Sequence, residues 1–134
     1  MSVIPTCERS RLSKGHSLYS GVQLCTQRRT RDTNSMKVIV DLCVVPMGVG
    51  VSVSKYVAEC QKVLQEAGLE HQLHAYGTNI EGDWDEVFVA IKRCHERVHA
   101  MGAPRITTSI KVGTRTDREQ STQEKIDSVS NQET

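Results

Sequence analysis

Aromatic side chains are scarce: one Trp, one Phe and three Tyr make up 4% of the 134 residues. That leaves no row of rings on which successive nucleic-acid bases could stack. Long apolar runs are missing too, and nothing approaches the roughly 20 residues a membrane span needs. No two cysteines are spaced as C-x-x-C, and their total, five, is odd. A disulfide framework is not expected, and a reducing compartment fits. G-x-S-x-G, Walker A and G-x-G-x-x-G are all absent, so the usual sequence marks of a serine hydrolase, a P-loop enzyme or a dinucleotide-binding domain are lacking. Net charge is only +1, which gives no electrostatic footprint for nucleic acid.

The charge that is present is unevenly placed. Residues 1–35 carry Arg9, Arg11, Lys14, Arg28, Arg29 and Arg31 against Glu8 and Asp32, while the remainder is mildly acidic. This leader is rich in Ser, Thr, Arg and Gln, contains Cys7 and Cys25, and has no sustained periodicity. It is read as disordered, because it offers too little apolar surface to offset its ordering entropy. Two roles stay open for it: a transit segment, or an extension ahead of an alternative start at Met36. The expected location is the cytoplasm, or the mitochondrion if the leader is a transit peptide. Residues 36–131 form one predicted domain, and 132–134 a frayed tail.

Within the domain the first strand, Val38–Val45, is apolar at Val38, Val40, Leu42 and Val44. Its other face is apolar except for Asp41, and Pro46 and Gly48 should end it. A helix follows, with Ser52 or Ser54 as N-cap. Its stripe is Val53, Tyr56, Val57, Cys60, Val63, Leu64 and Ala67, and Gly68 sits just past its end. A strand near His71–Tyr76 is expected to face the core with Leu73 and Ala75. Gly77 reads as the break before a short arm, Thr78–Glu81, which Gly82 stops. The second helix opens at Asp83 with Glu86 completing a capping box, and buries Trp84, Val87, Phe88, Ile91, Cys94, Val98 and Met101. Gly102 and Pro104 end it. The last strand, Arg105–Val112, stops at Gly113, and Thr116-x-x-Glu119 is expected to cap a terminal helix to about Ser128.

The order β-α-β-β-α-β with an extra C-terminal helix is the α+β, ferredoxin-like sandwich. Two helices would cover one face of a four-stranded antiparallel sheet. The other face mixes Ile39, Cys43 and Val45 with Asp41, Gln72, His74, Thr107, Ser109 and Lys111. That face is apolar enough to predict self-association through it.

Three groups of residues carry candidate chemistry. His95-Glu96-Arg97-Val98-His99 matches H-E-x-x-H, two histidines one helical turn apart with a candidate base. It lacks a nearby third ligand, so a zinc hydrolase is the weaker reading and no metal is expected. Gly48-Val49-Gly50 could present amides to an anion but reads better as a permissive loop. Glu81 is the sharper candidate: Asp83 already supplies the helix cap, which leaves Glu81 without an evident structural task. Lys111 and Arg115 flank Gly113 as a charged rim.

The segments Asp41-Leu42-Cys43-Val44-Val45-Pro46-Met47-Gly48, Gly77-Thr78-Asn79-Ile80-Glu81-Gly82-Asp83-Trp84-Asp85 and Ile110-Lys111-Val112-Gly113-Thr114-Arg115-Thr116-Asp117 together resemble the small thiamine-binding-protein family, the single-domain relatives of YkoF. The resemblance spans residues 36–131. It implies a ferredoxin-like fold, a dimer or tetramer built through the sheets, a non-enzymatic role, no cofactor, and thiamine or its hydroxymethylpyrimidine part as ligand. Thr78, Asn79, Glu81 and Asp41 are the polar residues suited to an aminopyrimidine, with Lys111 and Arg115 at the rim. Tyr76 or Trp84 would offer a face to the cationic ring. The alternative is an oligomeric interaction module without ligand. Neither nucleic acid nor membrane is an expected partner.

Overall fold

The computed structural model describes residues 35–132; the readings for the leader 1–34 and for residues 133–134 fall outside them. The chain runs β1 (Lys37–Met47), α1 (Ser54–Glu66), β2 (Glu70–His74), β3 (Gly77–Asp83), α2 (Trp84–Ala100), β4 (Arg105–Thr114) and α3 (Thr122–Ser130). The four strands form one antiparallel sheet in the order β2-β3-β1-β4. This is the ferredoxin-like arrangement with an added C-terminal helix.

β1 is central because it is apolar on nearly both faces. Val38, Val40 and Leu42, with Ile80 of β3, are buried beneath α1 and α2. Tyr56, Cys60, Val63 and Leu64 of α1 meet Val87, Ala90, Ile91, Cys94 and Val98 of α2 over them. Cys60 and Cys94 are buried thiols as expected, and Cys94 Sγ donates to the Cys60 carbonyl at 3.8 Å. The helix face of edge strand β4 is less well covered: Ile110 and Val112 keep 38% and 41% exposure. The helices sit over β1 and β3 and leave that edge partly open.

Several local readings are corrected by the structure. Pro46 does not end β1, which continues to Met47 with Pro46 opposite Ile106. β3 stops opposite Leu42, so Cys43–Met47 overhang it and are paired only with β4. A residue without an N–H is tolerated where one side of a strand is unpaired. Neither serine caps α1. Val53 is the cap residue, and its carbonyl accepts from the Tyr56 and Val57 amides, while the Ser52 and Ser54 hydroxyls flank it 3.5 Å apart. Asp83 does cap α2 by position, but its carboxylate pairs with Lys37 at 3.0 Å and the capping box with Glu86 does not form.

The hairpin differs most. Ala75 and Tyr76 are the two-residue turn, and Gly77 is the first residue of β3. Gly77 is needed for space: a Cβ there would lie 2.7 Å from the Leu42 carbonyl oxygen and 2.9 Å from Asp41 Oδ1. Gly82 likewise lies inside β3 and makes room for Leu69, whose Cδ2 would be 2.7 Å from an added Cβ. Gly113 pairs with Ile39 within β4 instead of breaking it. Leu73 shares the helix face with Thr78 but is 56% exposed. β2 is the other edge strand, and its end at Leu73 is left exposed.

The terminal helix begins later than Thr116. Arg115 forks onto Asp117 and also reaches Gln120, holding this stretch as a loop. The same signature then recurs at Ser121-x-x-Glu124, where both capping-box bonds form, at 3.1 and 2.9 Å, and the helix runs to Ser130.

Candidate functional site

The exposed end of β2 and the overhang of β1 together frame a cleft. It has a volume of about 220 Å³ and lies between α1, the β1 overhang and the β2–β3 hairpin. The cap residue Val53 with Val57 and Leu64 of α1 forms one wall, Leu42 and Val44 of β1 another, and Leu73, His74 and Tyr76 the hairpin side. The only side-chain hydrogen bond from α1 to the hairpin strand within its lining is from Gln61 Nε2 to Thr78 Oγ1, at 2.8 Å. Thr78 is 4% exposed and is the one buried polar residue among those described. Tyr76 stands at the mouth, 88% exposed. The lining contains no Asp, Glu, Lys or Arg, so the cleft suits an uncharged ring with one or two polar edges.

The sequence-derived candidates divide between two faces of the sheet. Thr78 and Tyr76 line the cleft. Asn79, Glu81, Asp41 and Lys111 share the opposite, open face, where Asp41 stands opposite both Asn79 and Lys111. Arg115 lies beyond the end of β4, paired with Asp117. That pairing lowers the Asp117 carboxyl to about 2, chiefly through its hydrogen bonds with Arg115, with coulombic help from Arg115 and Arg118. Trp84 stacks on Phe88 with ring centroids 4.8 Å apart, so Tyr76 is the aromatic residue at the cleft.

Glu81 has a structural partner. Its Oε1 accepts from the Thr122 amide at 2.6 Å, so the carboxylate sits at the N-terminus of α3. The spare carboxylate thus tethers the terminal helix to the open face. Asp41 is engaged as well, with His74 Nε2 2.8 Å from Oδ1 and Lys111 Nζ 3.9 Å from Oδ2.

The H-E-x-x-H residues point to separate partners. His95 Nε2 is 2.7 Å from Thr108 Oγ1, His99 Nδ1 is 2.8 Å from the Ala103 carbonyl, and Glu96 faces Lys92. Among the described residues no group of three or more His, Cys, Asp or Glu is placed to hold a metal ion. Gly48 and Gly50 adopt left-handed backbone, at φ +79° and +94°. α1 starts only at Ser54, so their amides lie outside its first turn. Among the described residues no helix is long and apolar enough to cross a membrane.

The cleft residues Val53, Val57, Gln61 and Leu73 were not singled out from sequence as a site. The signal was Gln61, a polar residue one turn from Val57 on the buried stripe of α1.

The family described as "Thiamine-binding protein" matches residues 40–130. A UPF0045 protein of Synechocystis is 72% identical over 74% of this chain and 82% of its own length. A UPF0045 protein of Eremothecium gossypii is 43% identical over 72% of this chain and 92% of its own. The crystal structure of a Methanocaldococcus jannaschii protein superposes with a TM-score of 0.66 at 34% identity, covering 71% of this chain and 97% of that one. With a match over more than half its length and relatives this similar, the chain belongs to the thiamine-binding protein family.

Proposed function

We propose that this protein is a non-enzymatic binding protein that takes the aminopyrimidine end of thiamine, or free hydroxymethylpyrimidine, into the cleft between α1 and the β2–β3 hairpin. The observation that carries the reading is the cleft itself: apolar walls around a single part-buried amide–hydroxyl pair, Gln61–Thr78, within the residues the family covers. Its volume of about 220 Å³ falls below the roughly 300 Å³ at which sites for drug-sized molecules begin. It matches one ring, with the rest of the ligand outside. With one amide N–H donated to Thr78, Gln61 still has its second N–H for a pyrimidine nitrogen and its carbonyl oxygen for the amino group. The thiazolium cation would remain at the mouth, where the Tyr76 ring can attract it.

The open sheet face supports self-association. Ile39 and Cys43 are half-buried there and Val45 is exposed. A second copy covering them would remove apolar surface from water.

Calorimetric titration with thiamine, its phosphates and hydroxymethylpyrimidine tests the ligand. Saturable binding of one molecule per subunit is expected, weakened at least tenfold by Gln61→Ala. Affinity unchanged in that variant would move the site away from the cleft. No binding to any of the three by an intact oligomer would leave an interaction module as the better account.

A further inference from the structure

The open-face pair Asp41–His74 has a geometry that a surface ion pair does not require. Asp41 is on β1 and His74 on β2, and β3 runs between them. Two side chains separated by a whole strand meet at 2.8 Å because the intervening position is glycine. Gly77 is the β3 partner of His74. A Cβ there would stand 2.9 Å from Asp41 Oδ1 and 3.2 Å from His74 Cε1. The carboxylate and the imidazole therefore close over β3 through the space a side chain would fill.

The far side of the same imidazole holds the turn. The Tyr76 amide lies 3.3 Å from His74 Nδ1 and points at it as donor. An amide can only donate, so Nδ1 must be the unprotonated acceptor. Nε2 then carries the proton and donates to the Asp41 carboxylate, which can only accept. One tautomer satisfies both bonds. Lys111 Nζ stands 3.9 Å from the other carboxylate oxygen. The turn held in this way, Ala75–Tyr76, lines the cleft mouth.

We propose that Asp41 and His74 are positioning residues: they buckle the hairpin to β1 across Gly77 and hold the Tyr76 turn at the mouth of the cleft. Neither has to touch the ligand. Asp41 acts through His74, and His74 acts through the backbone of Tyr76. Where it concerns affinity, the inference rests on the binding role assigned above to the cleft.

The experiment uses the full chain and begins without ligand. Long-range proton–nitrogen NMR of the wild-type imidazoles should show His74 as the Nε2–H tautomer; finding the Nδ1–H form overturns the proposal without any variant. In Asp41→Ala, amide exchange at Tyr76 should quicken at least tenfold, while the β1–β3 ladder amide of Ile80 keeps its protection and reports an intact fold. Asp41→Asn keeps an oxygen acceptor and should restore most of the Tyr76 protection. Equal Tyr76 exchange in wild type and Asp41→Ala also overturns the buckle. Titration with thiamine should then show affinity down about tenfold in Asp41→Ala and largely recovered in Asp41→Asn. If wild-type protein binds no thiamine, the ligand reading fails while tautomer and exchange still decide the buckle.

Discussion

Replacing Gly77 by alanine should be the most damaging single-methyl addition in the sheet. The backbone at Gly77 is not left-handed, so the penalty is one of space alone. The new Cβ would meet the Leu42 carbonyl oxygen at 2.7 Å. That oxygen belongs to the central strand, paired on both sides, and cannot swing aside. The Asp41 and His74 atoms at 2.9 and 3.2 Å can retreat, but only by giving up their mutual bond. Forcing extra volume into a packed site costs about 1–3 kcal/mol. The lost flexibility of the unfolded chain returns about 0.4–1 kcal/mol. A net loss of about 1–2 kcal/mol follows, or a fall in Tm of roughly 5–15 °C for a domain of this size. Gly82→Ala is the control. Its closest neighbour, Leu69 Cδ2 at 2.7 Å, is the free end of a flexible side chain, so its cost should stay below about 1 kcal/mol. Urea unfolding of both variants gives the comparison. A Gly77→Ala protein within about 0.5 kcal/mol of wild type, or less affected than Gly82→Ala, would refute the steric argument.

Other consequences are as direct. Glu81→Gln should loosen α3, because a charge-assisted bond is about twice as strong as a neutral one; faster exchange at the Thr122 amide and quicker tryptic cleavage after Lys125 are expected, and unchanged rates would contradict the tether. Asp117 should titrate at about 2, well below its ordinary 3.8. Because the folded-state value is depressed, the contribution of its pair with Arg115 is present above the ordinary carboxylate range and is lost as pH falls through about 2. Carbon NMR of the carboxyl should show that midpoint, and Arg115→Ala should bring it back towards 4; a wild-type midpoint already near 4 would refute the pairing. Thr78→Val should destabilise by about 1 kcal/mol, since it removes the acceptor of the Gln61 amide. Equal stability in thermal unfolding would mean Gln61 finds another partner.

What could be read from the residues was what periodicity carries. The alternation of β1 and the three- and four-residue spacing in α2 identified the buried faces, because core burial repeats with the period of the element. Turn chemistry was less readable. A glycine in sequence signals either conformational freedom or missing volume, and Gly77 and Gly82 serve the second purpose inside a strand. Glu81 reads in the sequence as a carboxylate without a task, yet its partner is a backbone amide from a distant helix, which no local pattern records. The cleft stayed hidden for a related reason. Leu73 looked like a core residue because it has the right parity. Only the tertiary arrangement shows that it is left exposed at the end of an edge strand.

The stretch of β1 beyond the end of β3 has one more consequence. A half-paired strand rich in valine offers a template on which another chain could add itself edge to edge and begin an aggregate. Pro46 stands within that stretch and contributes no N–H to either neighbour. It spoils the repeat of donors that an incoming strand would need. The proline that fails to end the strand instead guards it, letting β1 reach past its neighbour without becoming a seed for misassembly.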